Sequence, residues 1–446
     1  MTFRREYFLV FLSPLMLVCL GVGYIQASRR AGTRAAEDVP GGALYREVME
    51  IVQTRYVNEP DEERLIYGAA KGIMDELDRH SVVYTPEQWA DNELRARGHY
   101  VGIGILVDKL EEMVSVLEVL PNGPAERAGL RHGDRIVMID GFTVDHRKPI
   151  SEAMTHLRGK PRTTAILKVK ALGGDTVRIV KVRRGIAPNR LVYGYFLDRE
   201  AGIGFVHIEA FRATTVDLFD QEVRQLIQQG MTSLVLDLRG NPGGGLDSAC
   251  RIADRFVSDG PIVTTVGRVP QRPRRATSEA PFAGLSVVVL TDPRCASASE
   301  VLAGALQDHS RGVLLGERTY GKGVVQEVAE FVRSGYPGGY KITTAHYFTP
   351  AGRCIEREVG LGESRRRRGG LRPDIPLQMT PQFTTKQEAA NWYASRDRHR
   401  QRGRYDARVR KILERDEEPF SDTQVAAARD LLAEGWSTDR PLNDGR

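Results

Sequence analysis

Ser297, Lys322 and Gln326 are the residues of this chain whose types and spacing could carry out acyl transfer. Ser297 lies in CASASE (295–300), where a buried-strand pattern, LSVVVLTD (285–292), gives way to a small-residue helical run ending near Asp308. A hydroxyl at a helix start faces unpaired N–H groups and the positive end of the helix dipole, which would stabilise a nearby oxyanion. Ser297 and Glu300 also spell a capping box, Ser-x-x-Glu, which needs no chemistry at all. On this segment alone the two readings are balanced.

Lys322 lies in YGKGVVQ (320–326), framed by two glycines, in a chain with 53 arginines and 11 lysines. The contrast matters because a lysine can lose its proton in a working site and an arginine cannot. A desolvated lysine has a lowered pKa and can take the proton of a serine hydroxyl. If VVQEVAEF is a strand, residues four apart share a face, so Gln326 would hold the Lys322 amine in line. The bland reading is a β-hairpin with a snorkelling lysine.

A third segment, RGNPGGG (239–245), directly follows the buried run LVLDL (234–238). Such a turn bares backbone N–H groups to a bound carbonyl, although most Gly-rich turns are only turns. His309, after Asp308, and His346 could belong to a Ser-His-Asp site, but neither sits in a glycine-framed loop. No HExxH or comparable ligand spacing occurs, so neither a metal nor another cofactor is expected.

These segments need a scaffold. Residues 186–380 alternate buried strands with helices (LVLDL, LSVVVLTD, the helix from Ser297, GVLLGE at 312–317), which predicts an α/β core. Residues 98–185 read as short β segments with a Pro/Gly turn and one short helix, a compact β-rich module. Leu44, Val48, Ile51 and Val52, then Leu65, Ala69, Ile73 and Leu77, keep helical spacing, so 44–97 is read as helical. Beyond 380 the chain is charged, with one helix expected over VAAARDLLAEG (425–435).

At the other end, Arg4 and Arg5 precede an uncharged run from Tyr7 to Ile25, long enough to span a bilayer. Ile25-Gln26-Ala27 is a poor cleavage site, which favours an uncleaved signal anchor over residues 1–27 above a cleaved export signal. Residues 28–43 read as a linker. The net charge of +6 comes largely from two clusters, 365–368 and 396–410. No aromatics interleave with these arginines, which argues against nucleic-acid binding. Cys250, Cys295 and Cys354 lack CxxC spacing and are read as unpaired thiols.

LVLDLRGNPGG (234–244), CASASEVLAGALQD (295–308) and GERTYGKGVVQ (316–326) together resemble the three signature blocks of the carboxyl-terminal processing (tail-specific) protease family. Their order agrees, as do the gaps of 25 residues from Ser297 to Lys322 and of four from Lys322 to Gln326. LDRHSVVYTPEQ (77–88) is similar to the family's "LDPHS" segment, and PAERAGLRHGDRI (124–136) to its PDZ domain. FTPAGRCI (348–355) and LRPDIPL (371–377) resemble the end of its core.

The resemblance implies a multidomain α+β fold: an α/β protease core of crotonase/ClpP-like strand-helix repeats, a β-rich PDZ domain, and helical N- and C-terminal segments. It implies a serine endopeptidase that cuts proteins near their C-termini, with Ser297 as nucleophile, Lys322 as general base and Gln326 as its orienting partner. The N–H groups of Gly243 and Ala298 would be oxyanion donors. Gly102, Ile103 and Gly104 would hold a substrate's terminal carboxylate, the peptide adding as a strand. Partners would be protein substrates, the membrane through the N-terminal segment, and an adaptor or a second copy of the chain. The catalytic part would face a bacterial periplasm from the inner membrane. The departures are Arg79 for the family's proline, Cys295 for a small polar residue, and a basic insertion at 356–370.

Overall fold

The computed structural model describes residues 41–110, 113–120, 123–145, 150–171, 176–188, 190–269, 272–357, 369–378 and 422–436. The uncharged run 7–25 and both basic clusters lie outside them. Among the described residues, no helix is long and apolar enough to cross a membrane.

The chain divides into two units after Glu76. The first contains the helices Gly42–Arg55 and Glu62–Asp75, the second of them capped by the Asp61 carboxylate on the Arg64 N–H (3.0 Å).

Within the second unit, a six-stranded antiparallel sheet runs Ile105–Leu110, Met113–Val119, Arg135–Ile139, Thr164–Lys170, Val177–Arg183, with Phe142–Thr143 paired to Arg135–Ile139. Thr164–Lys170 alternates exposed and buried residues, as a strand with one wet face must. Its inward side joins Val116, Ile136, Ile139 and Val182 in a separate core beneath the helix Ile150–Leu157.

The larger part is a six-stranded sheet of β1 (Val192–Asp198), β2 (Ile203–Ile208), β3 (Ser233–Asp237), β4 (Ser286–Thr291), β5 (Val313–Gly316) and, at its far edge, β8 (Ile375–Pro376). Only β1 is antiparallel to its neighbour. β2 is buried along its whole length, which fits a sequence apolar but for His207 and requires cover on both faces. Helices α1 (Thr215–Gln228), α2 (Leu246–Ala253) and α3 (Ala298–Asp308) pack Phe219, Ile252 and Leu302 on one face. The opposite face, Phe205, Val235, Val288 and Leu290, is covered by Ala427, Ala428 and Leu431 of α4 (Thr423–Ala433). The helix expected in a charged tail is therefore a layer of the core.

A second sheet is built around β7 (Gly339–Phe348), which pairs with β6 (Val324–Glu330) along one edge and with Val82–Tyr84 and Pro261–Gly267 along the other. The turns that follow β3, β4 and β5 leave the carboxyl ends of parallel strands, where α/β sheets place ligand sites.

Candidate active site

Asn241 knots the turn after β3. Its Nδ2 donates to the Ile208 carbonyl (2.8 Å) and its Oδ1 accepts the Gly243 N–H (2.8 Å). Its own carbonyl accepts the Ala296 N–H (3.1 Å) and the Ser299 hydroxyl (2.9 Å), so the turn is fastened to the segment entering α3. Asp292 adds a bond from the Gly240 N–H (3.0 Å).

Gly243, at φ 97°, is there for space: a Cβ would stand 2.6 Å from the Ala296 oxygen and 2.9 Å from both the Ala298 nitrogen and the Ser297 Cβ. The Gly243 N–H, expected as an oxyanion donor, is donated here to the Asn241 amide oxygen. The Ala298 N–H, in the first turn of α3, has no acceptor among the described residues.

Ser297 sits at φ 59°, ψ −118°, a sparsely populated conformation for a residue with a side chain. Strain of this kind persists only where the surroundings over-determine it, and it clusters at working sites. Ser297 is half-buried while Ala296, Ala298 and Ser299 are buried, so its side chain alone in this stretch reaches the surface. Ser299 is committed to Asn241.

What over-determines Ser297 is Glu300. Fully buried, its Oε2 accepts the N–H groups of Ser297 (2.9 Å) and Lys322 (2.8 Å), and its Oε1 accepts the Gly321 N–H (2.8 Å) and the Thr319 hydroxyl (2.5 Å). Four donors compensate a carboxylate that burial would otherwise make costly. Burial still leaves its pKa above the ordinary carboxylate value. The bond to Ser297 was legible as half of a capping box; the three to residues 319–322 were not.

Lys322 precedes β6, whose pairing with β7 shifts register between Val325 and Gln326. Its Nζ donates to Gln326 Oε1 (2.7 Å), and Gln326 Nε2 donates to the His80 carbonyl (2.6 Å). Burial holds the Lys322 pKa below the ordinary lysine value, Lys341 and Arg79 push the same way, and Glu356 and Asp78 oppose them. Glu356 accepts the Gly323 N–H (2.6 Å). The buried Tyr347 donates its hydroxyl to the Lys322 carbonyl. Burial raises that phenol's pKa well above normal, and a hydrogen bond with the Ser297 side chain partly offsets the rise. No hydrogen bond joins Ser297 Oγ directly to Lys322 Nζ; in unliganded sites such contacts are commonly long and tighten with substrate.

Sequence reasoning missed His80, Tyr347 and a cluster below the Gly-rich turn. There Asp237 pairs with Arg239 (2.7 Å), and Arg239 reaches Asp422 at the start of α4 (2.8 Å). Burial opposes ionisation of Asp237, but the hydrogen bonds from Arg239 and the nearby His207 ring (3.5 Å) hold its pKa at about 2. Burial would lower the His207 pKa, but Asp237 and Glu209 raise it to about 9. The alternative histidine His309 bonds the Pro261 carbonyl (2.7 Å).

In the antiparallel module, the carbonyls of Ile103 and Gly104 accept the N–H groups of Ala125 (2.7 Å) and Leu120 (3.0 Å). The Tyr100 hydroxyl hydrogen-bonds the backbone of Gly104 and Ile105, and its ring lies over Gly102, where a Cβ would be 2.4 Å from Tyr100 Cε2. Gly102 ends the strand His99–Gly102 and pairs with Gly185 of the strand Gly185–Pro188.

Residues 202–377 match the model of peptidase family S41, and residues 115–170 match that of the PDZ domain. A carboxy-terminal-processing protease of Bartonella bacilliformis is 33% identical over 75% of this chain and 75% of its own length. A carboxyl-terminal-processing protease of a Picosynechococcus species is 36% identical over 67% of this chain and 73% of its own. A solved structure of a photosystem II D1 C-terminal processing protease aligns over 74% of this chain and 86% of that chain at 29% identity, with a TM-score of 0.44.

Proposed function

Because the chain belongs to peptidase family S41, among the serine-type carboxyl-terminal processing proteases, we propose that it cleaves proteins near their C-termini with a Ser297–Lys322 dyad supported by Gln326. The observation that carries this reading is the single Glu300 oxygen that holds the backbones of Ser297 and Lys322 together.

In the forward step, neutral Lys322 Nζ takes the Ser297 proton as Oγ attacks the scissile carbonyl. The Ala298 N–H and the α3 dipole meet the developing oxyanion. The lysine ammonium then protonates the leaving amine, and in deacylation the same nitrogen removes a proton from water. A lysine held below its ordinary pKa is neutral in a larger fraction of molecules near neutral pH. Gln326 Oε1 accepts one amine hydrogen and so aims the lone pair elsewhere.

Within this reading the PDZ module, residues 98–185, takes the substrate's terminal carboxylate near Gly102 to Gly104 and feeds the chain to the core, residues 186–380. The run 7–25 anchors the enzyme in the inner membrane of a bacterium, with the catalytic part in the periplasm. The test is cleavage of an unfolded protein with a free C-terminal tail by the parent, Ser297→Ala and Lys322→Arg. Both variants are expected to lose activity by at least about 10³-fold, since arginine keeps the charge but cannot act as base. Cleavage by Ser297→Ala at the parent rate would overturn the assignment.

A further inference from the structure

The Gln326 side chain has two chemically different ends and a half-turn between them. His80 C=O can only accept, and an ammonium can only donate, so one orientation satisfies both neighbours: Nε2 on the carbonyl (2.6 Å) and Oε1 on the lysine (2.7 Å). In the reversed orientation, Nε2 would donate into the lone pair of neutral Lys322 and consume the base. The His80 carbonyl is therefore what forbids the unproductive orientation.

That carbonyl is aimed by a built turn. Asp78 Oδ1 accepts the N–H groups of His80 (2.6 Å) and Ser81 (2.8 Å), while Oδ2 accepts the Ser81 hydroxyl (3.0 Å). Ser81 is 2% exposed, and its oxygen also accepts the N–H of Thr343 (3.2 Å). Thr343 is the β7 residue directly paired with Gln326 across the sheet. The turn is thus anchored to the strand position that faces the residue it orients, and Val82–Tyr84 then pairs with Gly339–Lys341 of the same strand. We propose that the 78–81 turn is an integral part of the active site and that Asp78 is a positioning residue, acting through His80 and Gln326 on Lys322.

This rests on Lys322 being the general base. The charged groups that face Lys322 are Asp78 and Arg79 from the turn, Lys341 from β7 and Glu356 from the segment after it. Removing Asp78 therefore removes a nearby negative charge as well as the turn's acceptor. Asp78→Asn separates the two, because its amide oxygen still accepts both N–H groups while the charge is gone.

The experiment is a double-mutant cycle on kcat for a tailed protein substrate, with a pH–rate profile for each variant. Asp78→Ala is expected to lower kcat about 30-fold with little change in KM, and Asp78→Asn to recover to within about threefold of the parent. In a Gln326→Ala background, Asp78→Ala should cost less than about threefold, because the residue it orients is gone. Ser81→Ala, which removes the link to Thr343, supplies the same comparison if Asp78→Ala does not fold. Equal losses in the two backgrounds would overturn the inference, as would an Asp78→Asn variant as impaired as Asp78→Ala. Loss of activity in Lys322→Arg together with additive Asp78→Ala effects would sink the turn alone. Activity retained by Lys322→Arg would sink the dyad and the turn together.

Discussion

The proposed catalytic segment and the loop of the PDZ module both present backbone N–H groups, and they hold them in opposite ways. Around Ser297 the donors are locked: Glu300 takes those of residues 297, 321 and 322, Asn241 takes that of Gly243, and the Ala298 N–H remains open. In the PDZ loop the Gly104 and Ile105 backbone is met by a phenol, Tyr100, which a stronger acceptor could displace. Buried carboxylates and amides fix a geometry that must be correct at every turnover. Under the proposed reading, a neutral hydroxyl stoppers a peptide site that must open and close. The contrast can be broken at four places.

The largest effect is expected at Glu300. Glu300→Gln keeps the size but turns an NH₂ toward either Ser297 and Lys322 or Gly321 and Thr319, so a buried N–H loses its acceptor in both orientations. Unfolding free energy should fall by about 3 kcal/mol. Activity should fall about 10³-fold, since the backbones of the proposed nucleophile and base share this anchor. Chemical denaturation and steady-state kinetics measure the two; a stable variant with parent kcat would show that the strain at Ser297 is held some other way.

Gly243→Ala comes next. The added methyl would meet the Ala296 oxygen at 2.6 Å and must displace the turn or the start of α3. A shift of about 1 Å beside the proposed nucleophile is expected to lower kcat by about 10²-fold. If Gly243 served only as a donor to an oxyanion, the methyl would leave kcat nearly unchanged, because it does not touch the N–H.

The third effect is on stability and has a definite sign. His207 is raised to about 9 in the folded chain against an ordinary 6.5, so its ionic contribution is complete below about pH 6.5 and is lost as pH rises through 9. That contribution amounts to at most about 3 kcal/mol. The parent should lose thermal stability between these pH values, and His207→Gln should show a flatter profile with its deficit confined to the acid side. Parallel profiles would mean that Asp237 and Arg239 hold the region without help from His207.

How much of this was legible depends on the range of the interaction. The strand-helix alternation, the capping box and the Lys322–Gln326 pairing are local patterns, and each has a physical counterpart in the fold. Gly243 was legible as a glycine but not as a spacer, because its role depends on Ala296 and Ala298, more than 50 residues away. His80 contributes a backbone carbonyl, which no side-chain pattern encodes; only the LDRHS block as a whole hinted at it. The docking of α4 was hidden because its buried face mixes Thr423, Gln424, Ala427 and Ala428 with Leu431 and Leu432, a weak amphipathic signal.

The smallest effect tests the stopper. Burial raises the Tyr100 pKa above the ordinary phenol value, so at neutral pH its oxygen is an uncharged acceptor on the Gly104 and Ile105 backbone. A peptide carboxylate would make charge-assisted bonds there, roughly twice as strong, and could displace it. Tyr100→Phe removes the oxygen and deletes the competitor. Affinity for a peptide with a free C-terminus should then rise about three- to tenfold, close to 1 kcal/mol. The same peptide with an amidated end should gain nothing. Titration of the full-length variant against both peptides reads this directly. Weaker binding of the free-carboxylate peptide would make Tyr100 a contributor to recognition instead, and the two regions would then differ less than their hydrogen bonds suggest.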